Sequence, residues 1–398
     1  MHPRSGPALG RNPTLIAVWV RCPRASIKPL WGEVIAMDRF ERRGRDKIFD
    51  NIYRAVLLCK LAGLSFAETK NILREVFKNP PLLTVKDWYY GRRKHRLSKL
   101  NTLDKALWYH TAYEVVIKLK TKHLQWSYKK ISSELKKYLP IKIPLTTIYY
   151  WLSERSKPNV TNVKVCPALG YLVGVLVGDY KRKGTKGGLV TKNLHFIKYY
   201  VQMYEKVTSI KLKIFRDKYG RYYTSERGTF LKILWRTGLW KIIAHIYPRE
   251  FLQGLFDSEG SITHTMYKGI LKGYTLNVTI GSHEVLETCI AILNNLNFKF
   301  RIDFTPPSIK KVRRKYYKFG GYYRVYILGG KQTLYRFEAE IGFRESNRRI
   351  KLLALLEAFK HPPKDRHKIY YKLLNSLPLH NSKIVVGPPG LEPGTPAV

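Results

Sequence analysis

Acidic residues are scarce in this chain: 28 Asp and Glu stand against 73 Lys and Arg over 398 residues, a formal net charge of +45. Solubility asks for a net charge of only about 2–8 in a small domain. An excess this large opposes compaction by self-repulsion, so its natural counterpart is a polyanion that neutralises it. Cysteine is scarce too. Cys22, Cys59, Cys166 and Cys289 are far apart, form no CxxC pair and have no His at zinc-ligand spacing. This argues against a disulfide scaffold or a structural zinc site and fits a reducing compartment. Long apolar runs are also missing, since segments 14–20 and 171–178 fall short of the ~20 residues of a spanning helix. The first of them lacks a small-residue cleavage site and runs into Arg21 and Arg24, so it does not read as a secretory signal. A cytoplasmic protein without signal peptide, membrane span or membrane partner is expected. Gln occurs only four times beside abundant Lys, Arg, Ile and Tyr, a bias compatible with a hot-growing source.

What is present is enough apolar material for a core, with 44% hydrophobic and 13% aromatic residues, so a wholly disordered basic protein is excluded. The length suggests two or three domains. Residues 1–38 are rich in Pro, Gly and Arg without period and read as a basic disordered arm, within which Met37 offers a later start. The extension 361–398 ends in VVGPPGLEPGTPAV from Val385, a composition that cannot pack as helix or strand.

Region 39–160 contains an internal repeat at an offset of 62. Ser65, Phe66, Thr69, Leu73 and Phe77 lie over Ser127, Tyr128, Ile131, Leu135 and Leu139, and Leu83-Thr84 lies over Leu145-Thr146. Spacings of three and four put the apolar positions on one helical face, with Ser65 and Ser127 as N-caps. Pro80-Pro81 in one copy, and Pro140 and Pro144 in the other, break each helix. A short helix then follows, opened by Thr84 or Thr146 and carrying Trp88-Tyr89-Tyr90 or Tyr149-Tyr150-Trp151. Three helices per copy, with Arg92, Arg93, Lys94 and Arg155 around the last, form a tandem helix-turn-helix-like region. In such a module the third helix enters the major groove and the basic residues hold phosphates. A helical bundle with solvated charges is the bland alternative, and the connector exceeds the usual 3–4-residue turn.

From about Val165 the pattern becomes α+β. Strand-like alternation covers 209–217, 221–225, 271–280, 298–304 and 322–328, interleaved with helical runs 195–207, 230–235, 284–296 and 350–359. Two segments share an unusual form: Leu172-Val173-Gly174-Val175-Leu176-Val177-Gly178-Asp179-Tyr180 and Leu252-Gln253-Gly254-Leu255-Phe256-Asp257-Ser258-Glu259-Gly260. Each is an apolar helix with tiny residues at i and i+4, Gly174/Gly178 and Gly254/Ser258, ending in an acid. Gly in a helix costs ~1 kcal/mol relative to Ala, so two in one turn ask for compensation, and close backbone approach of another helix supplies it. If these two helices pack on each other, Asp179 and Glu259 emerge together on a pseudo-two-fold axis. Packing alone is the commoner meaning of such glycines. An acid set against the helix dipole, however, is better explained by a bound cation than by stability.

At these residues the chain resembles the LAGLIDADG homing endonuclease family, in its single-chain, two-motif form. The run from Tyr247 to Ile262 resembles the family's second motif almost position for position. The first copy keeps the glycines and the eighth-position acid Asp179, but has Val177 where the family often has Asp and Tyr180 where it has Gly. The resemblance covers roughly 165–360. It implies two pseudo-symmetric αββαββα repeats, about 165–245 and 246–360, behind the all-α N-terminal region. In the second repeat the hairpins fall at 259–268 with 271–280, and at 298–305 with 322–328; the first repeat is compressed, its initial hairpin reduced to 188–191.

The resemblance further implies a saddle of two sheets in the DNA major groove, which accepts β-ribbons, and a site-specific, magnesium- or manganese-dependent endonuclease of intron homing. Asp179 and Glu259 would each position Mg²⁺ (or Mn²⁺) near one scissile phosphate per strand, a sparse ligand set suited to a cation that keeps its waters. Arg348 and Arg349 are the basic candidates for one site and Lys241 for the other. Lys310, Lys311, Arg313, Arg314, Lys315 and Lys318 form a loop suited to phosphates, while His264 and His283 read as ordinary surface residues. A monomer on double-stranded DNA, nucleoid-associated when bound, is expected. Two alternatives stay open: a non-catalytic DNA-binding regulator on a degenerate fold, and an RNA maturase assisting intron splicing.

Overall fold

A computed structural model of the chain describes residues 42–95, 97, 100–180, 187–226, 230–312 and 315–376, without the side chains of 42–46 and 310–319. The arm over 1–38 and the Pro/Gly tail lie outside the described residues, as do Arg313 and Arg314 and the side chains of Lys310, Lys311, Lys315 and Lys318.

Six helices come first: α1 (Arg42–Leu61), α2 (Phe66–Val76), α3 (Leu82–Tyr89), α4 (Thr102–Lys122), α5 (Tyr128–Tyr138) and α6 (Leu145–Leu152). Ser65 caps α2 in a capping box, accepting from Glu68 N at 3.3 Å while Glu68 Oε2 accepts from Ser65 N at 2.8 Å. Ser127 caps α5 by accepting from Lys130 N, without the reciprocal bond of a capping box. Each cap satisfies a backbone donor that the helix leaves open. Repeat-related Thr69 and Ile131, and Leu73 and Leu135, are buried.

The third helices depart from expectation. Thr84 and Thr146 do not open them: α3 and α6 begin at Leu82 and Leu145, behind Pro81 and Pro144, with no side-chain cap. The second connector is also one residue longer, so the buried pairs are Val85 with Ile148 and Trp88 with Trp151, which moves the correspondence from 62 to 63.

The two three-helix units are tied together. Buried Arg54 on α1 donates from Nε and Nη2 to the Asp104 carboxylate on α4 at 2.8 and 2.9 Å, and Asp50 on α1 holds the linker between the units through His95 Nε2 at 2.7 Å. Their cores divide within α4. Val56, Leu73, Val85 and Trp88, with Leu103 and Ala106 at the start of α4, belong to the large core that runs on through the α+β region, whereas Val116, Ile131, Leu135, Ile148 and Trp151 form a cluster of their own.

The α+β region has two halves. The first runs α7 (Pro167–Val177), β1 (Val190–Thr191), α8 (Leu194–Thr208), β2 (Ile214–Arg216), β3 (Tyr222–Thr224), α9 (Phe230–Thr237) and α10 (Trp240–Ile246). Its antiparallel sheet has the order β1-β3-β2. The strand expected over 209–217 is only Ile214–Arg216, because Ser209 closes α8 in the left-handed region, φ 59°, with its N–H on Glu205 O.

The second half runs α11 (Pro248–Glu259), β4 (Gly260–Tyr267), β5 (Ile270–Ile280), α12 (His283–Asn295), β6 (Phe300–Thr305), β7 (Ser308–Val312), β8 (Lys315–Phe319), β9 (Tyr322–Ile327), α13 (Lys331–Glu340), α14 (Ser346–Ala358) and α15 (Pro363–Ser376). Its sheet has the order β4-β5-β9-β6. The basic stretch expected to be a loop is instead the β7–β8 hairpin, Lys310 opposite Tyr317 and Lys311 opposite Tyr316. The C-terminal extension contributes α15, which packs on α14 and β5. It covers His264, whose ring lies 4.7 Å from that of Tyr370 and whose Nε2 is 3.1 Å from Tyr371 Oη. His264 is therefore no ordinary surface residue; burial holds its pKa below the usual value.

Candidate paired-acid site and nucleic-acid interface

Helices α7 and α11 meet backbone to backbone. A Cβ on Gly174 would overlap the Phe251 carbonyl oxygen and lie 2.7 Å from Leu255 N; one on Gly254 would overlap Tyr171 O and lie 3.0 Å from Val175 N. At Gly178 a Cβ would stand 2.6 Å from that of Ser258. The glycines thus exchange helix propensity for an approach that no side chain permits.

Each helix delivers its acid at the same end: Asp179 follows the α7 C-cap Gly178, and Glu259 is the last residue of α11. The Asp179 carboxyl is pushed up to about 7, first by burial and then by the negative charge of Glu259, with Arg348 opposing. Two carboxylates that resist joint ionisation gain from a cation between or beside them. Among the described residues no group of three or more His, Cys, Asp and Glu is placed to hold a metal. Two carboxylates are a donor set that suits a hydrated hard cation such as Mg²⁺, which keeps most of its waters.

Arg348 is fixed beside this pair. Its Nη1 donates to Asp257 O and its Nη2 to Ser258 O at 3.2 Å, capping the end of α11. Two residues that sequence reasoning passed over hold it there. Asp257, fully buried, accepts from Arg344 N at 2.8 Å, Glu345 N at 3.0 Å and Tyr171 Oη at 2.9 Å. Glu345 then N-caps α14, accepting from Asn347 N at 3.1 Å and Arg348 N at 2.8 Å. The signal available was a Glu just ahead of Ser-Asn-Arg-Arg, a capping pattern. Burial pushes the Asp257 carboxyl up to about 6, against the lowering effect of those donors. The first motif has buried Val177 at the corresponding position and no such ties.

The other basic candidates are engaged elsewhere. Arg349 acts on Glu338. Lys241 Nζ lies 3.5 Å from Glu284 on α12 and over the Trp240 ring at 5.8 Å. Neither is among the charges acting on Asp179. Tyr180, in the place of a family glycine, is buried and donates to Glu226 Oε2 at 2.7 Å; Tyr200 donates to the other carboxylate oxygen. The missing side chain of Gly187 makes room for the Tyr180 ring, since a Cβ there would lie 2.7 Å from its Cζ.

The sheet faces away from the motif helices differ. In the second half, register places Ser261 beside Asn277 and Thr263 beside Thr275, then Asn277 beside Tyr326, Thr279 beside Arg324 and Arg301 beside Tyr326. This face is polar throughout, and Arg301 lies over the Tyr326 ring at 4.7 Å. The alternation of Ser, Thr and Asn with apolar residues in 261–279 was the overlooked sequence signal. Among the N-terminal candidates, Arg92 and Arg155 are exposed and stack over Tyr90 and Tyr149 at 5.6 and 5.5 Å, and Arg93 is exposed. Lys94 is not available to a phosphate: its Nζ binds the carbonyls of Lys136, Lys137 and Leu139 at the end of α5.

Residues 247–342 match the family model described as a LAGLIDADG-like domain. The uncharacterized protein MJ0398 of Methanocaldococcus jannaschii is 27% identical over 263 residues, 59% of this chain and 90% of its own length. Two solved structures show similarity at a TM-score of 0.30: I-DmoI in complex with DNA and Mn, 18% identical over 44% of this chain and 96% of its own, and the N-terminal LAGLIDADG domain of DUF199/WhiA, 16% identical over 44% and 80%. Among the described residues no helix is long and apolar enough to cross a membrane.

Proposed function

We propose that the protein is a divalent-metal-dependent, sequence-specific double-strand DNA endonuclease of the homing type, hydrolysing one phosphodiester per strand. The observation that carries this reading is the convergence of Asp179 and Glu259 at the ends of two helices locked by Gly174 and Gly254. A divalent cation held by these acids would neutralise phosphate charge and lower the pKa of a bound water. The chain's own residues do the rest. Contact between α7 and α11 fixes the spacing of the acids, so that each serves one strand. Arg348, held by the carbonyls of Asp257 and Ser258, keeps a positive charge where negative charge develops on the phosphate. The polar face of β4, β5, β9 and β6 reads base edges in the major groove, and the β7–β8 hairpin, with Arg92, Arg93 and Arg155, grips phosphates. The halves 165–245 and 246–360 act as pseudo-symmetric repeats in a monomer, and region 39–160 adds target contacts as a tandem helix-turn-helix.

The test is incubation with Mg²⁺ or Mn²⁺ and DNA spanning the sequence around its own gene. Double-strand cleavage by the wild type, absent in EDTA and lost in Asp179→Asn and Glu259→Gln, is the expected result. Equal cleavage by those variants would falsify the assignment of the acids. The competing reading, a non-catalytic DNA-binding regulator, draws on the reduced first half, whose strands are two or three residues long. It requires metal-independent binding and no nicking of either strand.

A further inference from the structure

The outer face of the first-half sheet is unlike that of the second. Phe215 and Tyr223 are directly opposite in register, their rings stacked at 5.3 Å and 24°. Val190 stands on the other side of Tyr223, and Phe215 is 42% exposed. Beside them opens a cleft of about 360 Å³ whose lining includes Val190, Tyr223 and Thr224 and, at the turn, Asp217 with Arg221. Base-edge readout needs an array of donors and acceptors, and Val190, Phe215 and Tyr223 offer one phenolic hydroxyl. Phe215, exposed, with Val190 and Tyr223 half-buried beside it, thus presents apolar ring surface rather than hydrogen-bonding groups to a partner.

Its surroundings say what it contacts. The β2–β3 turn is rigid: Asp217 Oδ1 accepts from Tyr219 N and Arg221 N, each at 2.9 Å, and Gly220 takes φ +75°. That turn holds Tyr219 out at 68% exposure, with Lys218 and Arg221 over its ring at 5.2 and 5.3 Å. The one acid of the turn, Asp217, is occupied by Arg221 Nε at 2.8 Å. Arg216 ends the strand leading into it, and Lys211 and Lys213 lie just before that strand. Aromatic faces ringed by cations fit the π-face and phosphate of an unstacked nucleotide, which is how sequence-tolerant single-strand sites are built.

We propose that this face is a stacking platform for an unpaired nucleobase, with Phe215 and Tyr223 as the ring surface and Lys218 and Arg221 holding the adjoining phosphate. It rests on the reading that the chain binds nucleic acid and goes beyond it in specifying unpaired bases. The test uses the full chain in EDTA, with labelled DNA as a fully paired duplex, the same duplex with a two-nucleotide bulge carrying 2-aminopurine, and the single strand as DNA and as RNA. The bulged duplex should bind about 5- to 150-fold more tightly than the paired one, with altered 2-aminopurine emission. Phe215→Ala should abolish the difference and Phe215→Trp keep it; Phe215 being exposed, circular dichroism should show unchanged folding. Equal affinity for bulged and paired duplex, or a preference that survives Phe215→Ala, overturns the platform while leaving the nuclease reading intact. Single-strand binding without duplex binding keeps the platform and removes that reading. The DNA and RNA arms decide which strand it takes.

Discussion

The two halves of the α+β region begin alike and end differently. Each opens with an apolar helix carrying a glycine that faces its counterpart, and each helix delivers one acid. Beyond that, the first half has three strands of two to three residues, and the second has a four-stranded sheet of strands six to eleven residues long. The shared part is what the proposed phosphodiester chemistry on two strands would require. The part that differs is the outer sheet surface, polar and wide on one side, small and aromatic on the other. Support of the acids differs as well: Glu259 is flanked by the Asp257–Glu345–Arg348 network, whereas Asp179 is followed by Tyr180 clamped on Glu226.

The strongest way to break the parallel is at the acids. Glu259→Gln and Asp179→Asn should each reduce double-strand cleavage by on the order of 10³-fold or more, read as loss of linear product from supercoiled plasmid. Cleavage unaffected by one of them would mean that only one half is chemically active. Next come the glycines. Gly174→Ala and Gly254→Ala should each cost about 1–3 kcal/mol of stability, seen as a lower denaturant midpoint, and by nearly equal amounts if the contact is as symmetric as its distances.

Smaller effects sharpen the difference in recognition. Arg324→Ala should lose about 1–3 kcal/mol of affinity for paired target duplex, while Phe215→Ala leaves that affinity unchanged; reversal of this pattern in an anisotropy titration would exchange the roles of the two faces. The smallest effect concerns Glu226. Burial raises its carboxyl pKa, with the tyrosine hydroxyls and Lys232 opposing. A carboxyl raised in the folded state contributes stability below its unfolded value of about 4.3 and loses that contribution as pH rises through the folded value. Glu226→Gln should therefore flatten the fall in Tm between pH about 4.3 and the raised folded value relative to wild type; an unchanged slope would show that Glu226 is ionised without penalty.

Much of this was legible because it is local or periodic. The capped helices at Ser65 and Ser127 follow from spacing and cap chemistry, and the glycine-acid helices from the price of glycine in a helix. The start of α3 and α6 was misplaced because proline, rather than threonine, marks it. Lys94 and His264 were misread for a different reason: each meets its partner over a sequence distance, 42 to 45 residues for Lys94 and 107 for His264, that no local pattern reveals. Glu226 likewise gains its meaning only when Tyr180 and Tyr200 converge on it.

The division of the cores bears on the behaviour of the whole chain. With Val56, Leu73 and Trp88 inside the large core together with Leu103 and Ala106 from the first turns of α4, and Val116, Ile131 and Trp151 outside it, removal of α1 to α3 would strip apolar cover from the α+β region, while α5 and α6 with the second half of α4 can melt as a cooperative unit. The repeat that looks like one tandem module in sequence is thus divided, and the division falls inside α4. One copy is part of the foundation, and the end of the other can open and close while the remainder stays folded.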